Sequence, residues 1–205
     1  MKIAKSILIM ILSGLTGIIY AQNFNAVSEA FKRSYSYESE ANYTDAAGEL
    51  NKIYDEASYE INLRLGYLLY KSGSYLESMK YYQKAIDLQP YAIEPRFGYV
   101  YPASAAGNWA QVEEQYKKIL TVDPMNTTAN YWLGMIYYNR EEYEPALKCF
   151  EKVANLYPFD YDATIMFAWT NFKMQNLREA KLLFQKALLI SPGDTSALEG
   201  LGNIQ

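Results

Sequence analysis

From Tyr59 onward, apolar residues recur at spacings of three and four in paired stretches, and short polar segments such as KSGSY (71–75) and NREEY (139–143) join the members of a pair. That spacing gathers apolar side chains on one face of a helix, where a strand would alternate them between two faces. The pattern predicts an all-α chain of helix pairs. A proline closes each pair: Pro90, Pro124, Pro158 and Pro192 stand 34 residues apart. Proline cannot extend a helix, and it turns the residue before it toward extended geometry.

Aligned on those prolines, the chain falls into blocks 59–92, 93–126, 127–160 and 161–194. Position 7 of a block is Leu65, Tyr99, Leu133 or Phe167, and position 24 is Tyr82, Tyr116, Phe150 or Phe184. Small residues at positions 8 and 20, such as Gly66, Gly134, Ala146 and Ala180, let the two helices of a pair approach closely. Residues 27–58 read as a degenerate first copy, with Tyr43, Ala46, Leu50 and Ile53 at positions 17, 20, 24 and 27, ending two residues early. TSALEGLGN (195–203) starts a further first helix, so 195–205 is read as a cap.

This pattern resembles the tetratricopeptide repeat, whose signature is L-G-x2-Y, A-x3-F and a closing proline in about 34 residues. Block 127–160 matches it best, through Leu133, Gly134, Tyr137, Ala146, Phe150 and Pro158. The resemblance covers nearly all of the chain after residue 26. It implies an all-α, right-handed solenoid of tandem helix-turn-helix repeats, an open arc whose concave face is lined by first helices. Neighbouring pairs in such an array bury one another's apolar faces.

YWLGMIYYN (131–139) carries more aromatic surface than one buried stripe accommodates. Leu133, Gly134 and Tyr137 face the partner helix and read as core. Tyr131, Met135 and Tyr138, at positions 5, 9 and 12, form a second stripe, with Trp132 on its border. The resemblance places that stripe on the concave face. Its counterparts are Leu63, Tyr67 and Tyr70; Phe97, Tyr101 and Ser104; and Ile165, Trp169 and Phe172. Two readings stand side by side: packing between neighbouring first helices with only phenol tips exposed, or an aromatic groove for a partner. The groove would comprise Arg64, Tyr67, Tyr70, Phe97, Tyr101, Tyr131, Trp132, Met135, Tyr138, Trp169, Phe172 and Lys173, with Arg64 and Lys173 fixing orientation. Some family members grip a peptide carboxylate on this face. Here the polar positions Arg64, Lys71, Asn139 and Lys173 are separated by Gly98, Ala105, Trp132 and Met166, which favours an extended peptide with apolar side chains. A glycan stacked on Tyr101 and Trp169 is an alternative.

Block 93–126 departs from the others, with Pro95, Gly98 and Pro102 inside its first helix. Pro95 suits a first turn. Pro102 removes a hydrogen bond and presses on the carbonyl of Gly98. The expected meaning is drift in a tolerant array; the functional alternative is a bent helix with a free carbonyl.

The 205 residues suffice for a substantial core, half of them are hydrophobic, and 21 are tyrosine, which excludes a disordered chain. The net charge is -4 and no basic run occurs, so nucleic acid is a poor partner. There is no histidine and one cysteine, Cys149, which reads as a packing residue because a nucleophile would need a base. EEYE (141–144) falls in a turn and reads as solvated. No cofactor or metal is expected. Lys2, Lys5, the apolar run Ile7 to Ile19 and Ala21 read as a cleaved export signal, 1–21, followed by a linker, 22–26. The run is broken by Ser13, Gly14, Thr16 and Gly17 and is shorter than the roughly 20 residues of a spanning helix, so no membrane span is expected after cleavage. Together these features predict a periplasmic or secreted, non-catalytic scaffold of the cell envelope that binds a peptide or protein. The alternative is a structural protein, a homo-oligomer stacking through Leu198 and Leu201 at its end.

Overall fold

The structure, a computed structural model, describes residues 24–204; the expected export signal and Gln205 lie outside them. Every regular element among the described residues is helical. The order is α1 (24–39), α2 (Tyr43–Asn51), α3 (Tyr59–Lys71), α4 (Tyr75–Leu88), α5 (Glu94–Ala105), α6 (Trp109–Val122), α7 (Thr127–Asn139), α8 (Tyr143–Leu156), α9 (Tyr161–Lys173), α10 (Leu177–Ile190) and α11 (Thr195–Gly202). Residues 24–26, read from sequence as linker, already belong to α1, because nothing in Phe24-Asn25-Ala26 breaks a helix. The chain forms two compact units, divided between Gly107 and Asn108. The division falls inside block 93–126, whose two helices therefore belong to different units. In the first unit α3 packs on α4, and α5 packs on α4 and α3; in the second, α7 packs on α8 and α9 on α10, with α11 covering α10.

The 34-residue period sets the helix ends. Ser58, Asn126, Asp160 and Asp194 share one repeat position, and each side chain accepts the backbone N–H three residues on, at Ile61, Ala129, Ala163 and Ala197. These caps satisfy donors that the first turn leaves free. The copy at α5 has no such cap and instead carries Pro95 in its first turn, a residue with no N–H to satisfy. Each turn within a pair contains one left-handed residue: Ala41, Gly73, Gly107, Glu141 and Gln175, with φ between 58° and 85°. The last four keep the 34-residue spacing, and Ala41 precedes Gly73 by 32, as the shortened first copy requires.

The aromatic at position 24 organises the packing between helices. A methyl group on Gly66 would lie 2.8 Å from Cγ of Tyr82, and one on Gly134 would lie 2.9 Å from Phe150. Each glycine belongs to the first helix of the pair whose second helix carries the aromatic. Tyr82 also presses on Gly98, in the first helix of the following pair, where an added Cβ would lie 2.5 Å from Cζ. Phe184 treats Gly200 of α11 the same way, at 2.5 Å from Cε2. Gly98 is thus accounted for by the Tyr82 ring. Helix α5 runs through the buried Pro102 to Ala105, and Ala106 N–H donates to the Pro102 carbonyl at 3.0 Å.

Two buried asparagines at position 4 tie helices to the loops before them. Asn62 donates to the carbonyls of Glu56 and Ser58 at 3.0 and 2.7 Å and accepts the Tyr54 hydroxyl at 3.1 Å. Asn130 repeats the arrangement with the carbonyls of Pro124 and Asn126. Tyr137, expected in the core, is half-buried instead, with the Lys117 ammonium 5.7 Å from its ring centre.

Candidate functional site

In the first unit a cleft of about 430 Å³ is lined by four helices. Helix α1 supplies Phe31 and Tyr35; α3 supplies Glu60, Leu63, Arg64 and Tyr67; α4 supplies Tyr82; and α5 supplies Glu94 and Gly98. Gly98 stands at position 6, where the other repeats carry Arg64, Trp132 and Met166. With no side chain there, the Tyr82 ring forms part of the cleft wall. Phe31, Tyr35 and Glu38 were missed in the sequence reading. The register of block 27–58 places them at positions 5, 9 and 12, so extending the stripe one repeat toward the N-terminus finds them.

Arg64, read from sequence as orienting a partner, is engaged within the unit. Its Nη2 donates to Glu38 Oε2, and its guanidinium lies 4.0 Å from the Tyr35 ring centre and 5.4 Å from that of Tyr67. The Arg64 hydrogen bond holds the Glu38 carboxyl below the ordinary carboxylate range against the opposing effect of burial, with help from the Tyr67 hydroxyl. Burial, and then the bond to Glu38, raises the Tyr67 hydroxyl. Arg64 Nε is buried and has no hydrogen-bond partner among the described residues. At the edge of the cleft Glu60 accepts the Ser58 hydroxyl at 3.2 Å and Glu94 accepts the Tyr59 hydroxyl at 3.4 Å. Both glutamates are exposed. Next along α3 and α5, Tyr70 and Tyr101 stack with centroids 5.7 Å apart, and Tyr101 stays 57% exposed. Phe97 is half-buried on α5.

The second unit carries the rest of the stripe. Trp132 is 49% exposed and meets Tyr131 edge-on at 5.4 Å. Tyr131 also packs edge-on against Phe150, and burial raises its hydroxyl above the ordinary range. Met135 is half-buried, and so is Tyr138, which meets Tyr143 at 5.5 Å. Trp169 is held from two sides: its ring meets Phe184 at 4.9 Å and Phe172 at 5.5 Å, and its Nε1–H donates to Ser196 Oγ at 2.8 Å. It therefore fastens α11 to α9. Tyr161 lies beside Asp194, the N-cap of α11, and burial and then Asp194 push its hydroxyl up to about 12. Lys173 is exposed in the last turn of α9. The predicted residues thus form local pairs, most of them half-buried by packing, with Tyr101 and Trp132 the most exposed aromatics among them.

Cys149 is 8% exposed, and burial pushes its thiol up, as befits a packing residue. Among the described residues no group of His, Cys, Asp and Glu is placed to hold a metal ion, and no helix is long and apolar enough to cross a membrane.

Two family models described as tetratricopeptide repeat match the chain, at residues 59–91 and 127–160. The TPR repeat-containing protein YpiA of Bacillus subtilis (strain 168) is 29% identical over 69% of this chain and 33% of its own length. The human protein O-mannosyl-transferase TMTC1 is 28% identical over 71% of this chain and 17% of its own. The chain therefore spans about a third and about a sixth of these two relatives. Among solved structures, a tetratricopeptide repeat protein from Parabacteroides merdae ATCC 43184 superposes with a TM-score of 0.73 at 18% identity, covering 88% of this chain and 72% of that one. Register, left-handed turns, closing prolines and these matches agree: residues 59–91 and 127–160 are tetratricopeptide repeats.

Proposed function

We propose that the chain is a non-catalytic protein-interaction scaffold that holds an extended segment of a partner protein on the aromatic faces of its first helices. One observation carries this reading. In both units the stripe at positions 5, 9 and 12, with its border at position 6, is left partly open, and Tyr35, Tyr101 and Trp132 are each about half exposed. Aromatic rings give large contact at small entropic cost, and such surface concentrates binding energy. The transferase name belongs to the human relative, of whose length the chain spans 17%, and no reaction is carried over from it. Lys2, Lys5 and the apolar run to Ile19 support action outside the cytoplasm, in the periplasm or beyond.

The test is capture from envelope extract with the purified chain beside a Tyr101→Ala, Trp132→Ala variant. These two positions are preferred because Tyr131 and Trp169 pack against Phe150 and Phe184, so their removal would confound binding with folding. A partner retained by the wild type and lost by a variant of unchanged melting supports the aromatic faces. Equal retention refutes them.

Self-association is a second reading. Leu189 and Leu198 near the C-terminal end are 77% and 51% exposed, while Leu201 packs against the terminal core. Mass that grows with concentration in light scattering, and is reduced by Leu189→Lys, supports it.

A further inference from the structure

We infer that the cleft of the first unit is a socket for a basic side chain, a lysine ammonium or an arginine guanidinium, projecting from the partner segment. The inference rests on the interaction reading above and assigns it a chemistry. Three observations point the same way. The walls are aromatic, with Phe31, Tyr35, Tyr67 and Tyr82 around about 430 Å³, enough for one long side chain. Aromatic faces attract cations. The charge on the edge of the cleft is acidic: Glu60 and Glu94 lie there, both exposed, and accept the hydroxyls of Ser58 and Tyr59. Among the described residues that line the cleft the one cation is Arg64, which is paired with Glu38 just outside the lining.

The opening itself follows from the sequence. Gly98 occupies position 6, where the equivalent residues are Arg64, Trp132 and Met166. A side chain there would collide with the Tyr82 ring, so the glycine is what lets that ring stand as a wall of the cleft. Position 2 of the two adjoining repeats supplies both acids, Glu60 and Glu94, one helical turn before positions 5 and 6. The site is therefore built where one repeat lacks a side chain and two repeats each contribute an acid at the start of a first helix.

The test is a nuclear magnetic resonance titration of the full chain with four probes of similar size: n-butylammonium chloride, n-butylguanidinium chloride, n-butanol and sodium butyrate, with sodium chloride at matched concentration as blank. The expected result is saturable shifts of the Gly98 amide and the Tyr35 and Tyr67 ring signals with one or both cations. Butanol should give much smaller effects. In a Glu60→Gln, Glu94→Gln variant with unchanged melting, the cation should bind about fivefold more weakly, as two exposed carboxylates would give. Equal shifts with butanol would overturn the proposal in favour of a merely apolar cleft. Shifts with butyrate alone would overturn it in favour of an anion site at Arg64, and no shifts with any probe would also overturn it. These outcomes are separable from failure of the scaffold reading. The probes need no partner protein, and partner capture through Tyr101 and Trp132 is read at other residues.

Discussion

Replacing Gly98 by alanine tests the packing logic that creates the cleft. The added methyl would lie 2.5 Å from Cζ of Tyr82 and nearer still to Cε1. Carbon atoms in contact sit about 3.5–4.0 Å apart, so the overlap is on the order of 1 Å or more. The ring has little room to retreat, because the backbone of Gly66 faces it across the pair, where a methyl would already lie 2.8 Å from Cγ. Tyr82 is 4% exposed, so its displacement disturbs the core of the first unit. Overpacking costs about 1–3 kcal/mol, and a buried ring clamped from both sides puts this case in the upper part of that range, about 2–3 kcal/mol. Alanine regains about 0.8–1.0 kcal/mol in a helix interior relative to glycine, which offsets part of that. A net loss of about 1–2 kcal/mol follows, or a fall of about 2–8 °C in Tm for a chain of this size.

Gly48 of α2 has open space around it, so Gly48→Ala should instead gain about 0.5–1 kcal/mol. Denaturant unfolding monitored by circular dichroism would measure both, and a cycle with Tyr82→Leu should show coupling between positions 82 and 98 of about 0.5–3 kcal/mol. Gly98→Ala at or above wild-type stability, or additivity with Tyr82→Leu, would refute the reasoning.

Glu38 and Glu113 have depressed pKa values, held down chiefly by hydrogen bonds from Arg64 and from Lys117 and then Arg140. Their stabilisation is complete above the ordinary value of 4.5 and is lost as pH falls through the lower folded values, so unfolding free energy should drop from about pH 4.5 downward. Glu38→Gln should begin about 1.5–3 kcal/mol lower at pH 7 and lose less on acidification; an unchanged acid limb would contradict this. Glu141 holds φ at 62° in a turn whose equivalents are Gly73 and Gly107. Glu141→Gly should therefore stabilise the chain by about 0.5–1 kcal/mol in urea unfolding, whereas an equal loss would show that its side chain matters more than its backbone. Cys149 should resist iodoacetamide in the native chain at pH 8 and react fully in denaturant, as mass spectrometry would show; rapid native labelling would contradict its burial. Ser196→Ala removes the acceptor of the Trp169 indole and should cost about 1 kcal/mol, with faster hydrogen exchange confined to α11 if that bond fastens the last helix.

Much of this molecule is periodic, and what is periodic was legible in the sequence. Pro90, Pro124, Pro158 and Pro192 marked the repeat length, and the caps at Ser58, Asn126, Asp160 and Asp194 and the left-handed turn residues, which the sequence reading did not single out, keep the same register in the structure. Caps, turns and helix ends depend on residues within a few positions of one another, so local chemistry alone determines them. The core positions at 7 and 24 followed for Leu65, Leu133, Phe150 and Phe184, which are buried, while Phe167 at position 7 is only half-buried.

The division at Gly107 and the fate of the aromatic stripe were decided by tertiary structure. Position 9 is exposed in Tyr101 but locked in Trp169, because Ser196 and Phe184 reach Trp169 from other helices. Arg64 reads as a free cation in its own repeat, and only the placement of α1 brings Glu38 to it across 26 residues of sequence. Gly98 looked like drift beside Pro102 until the Tyr82 ring was found against it. The sequence by itself determined a chain of tetratricopeptide helix pairs, because periodic local interactions suffice to specify them. Which side chains remain open for a partner was decided by contacts between helices far apart in sequence, which no single repeat encodes.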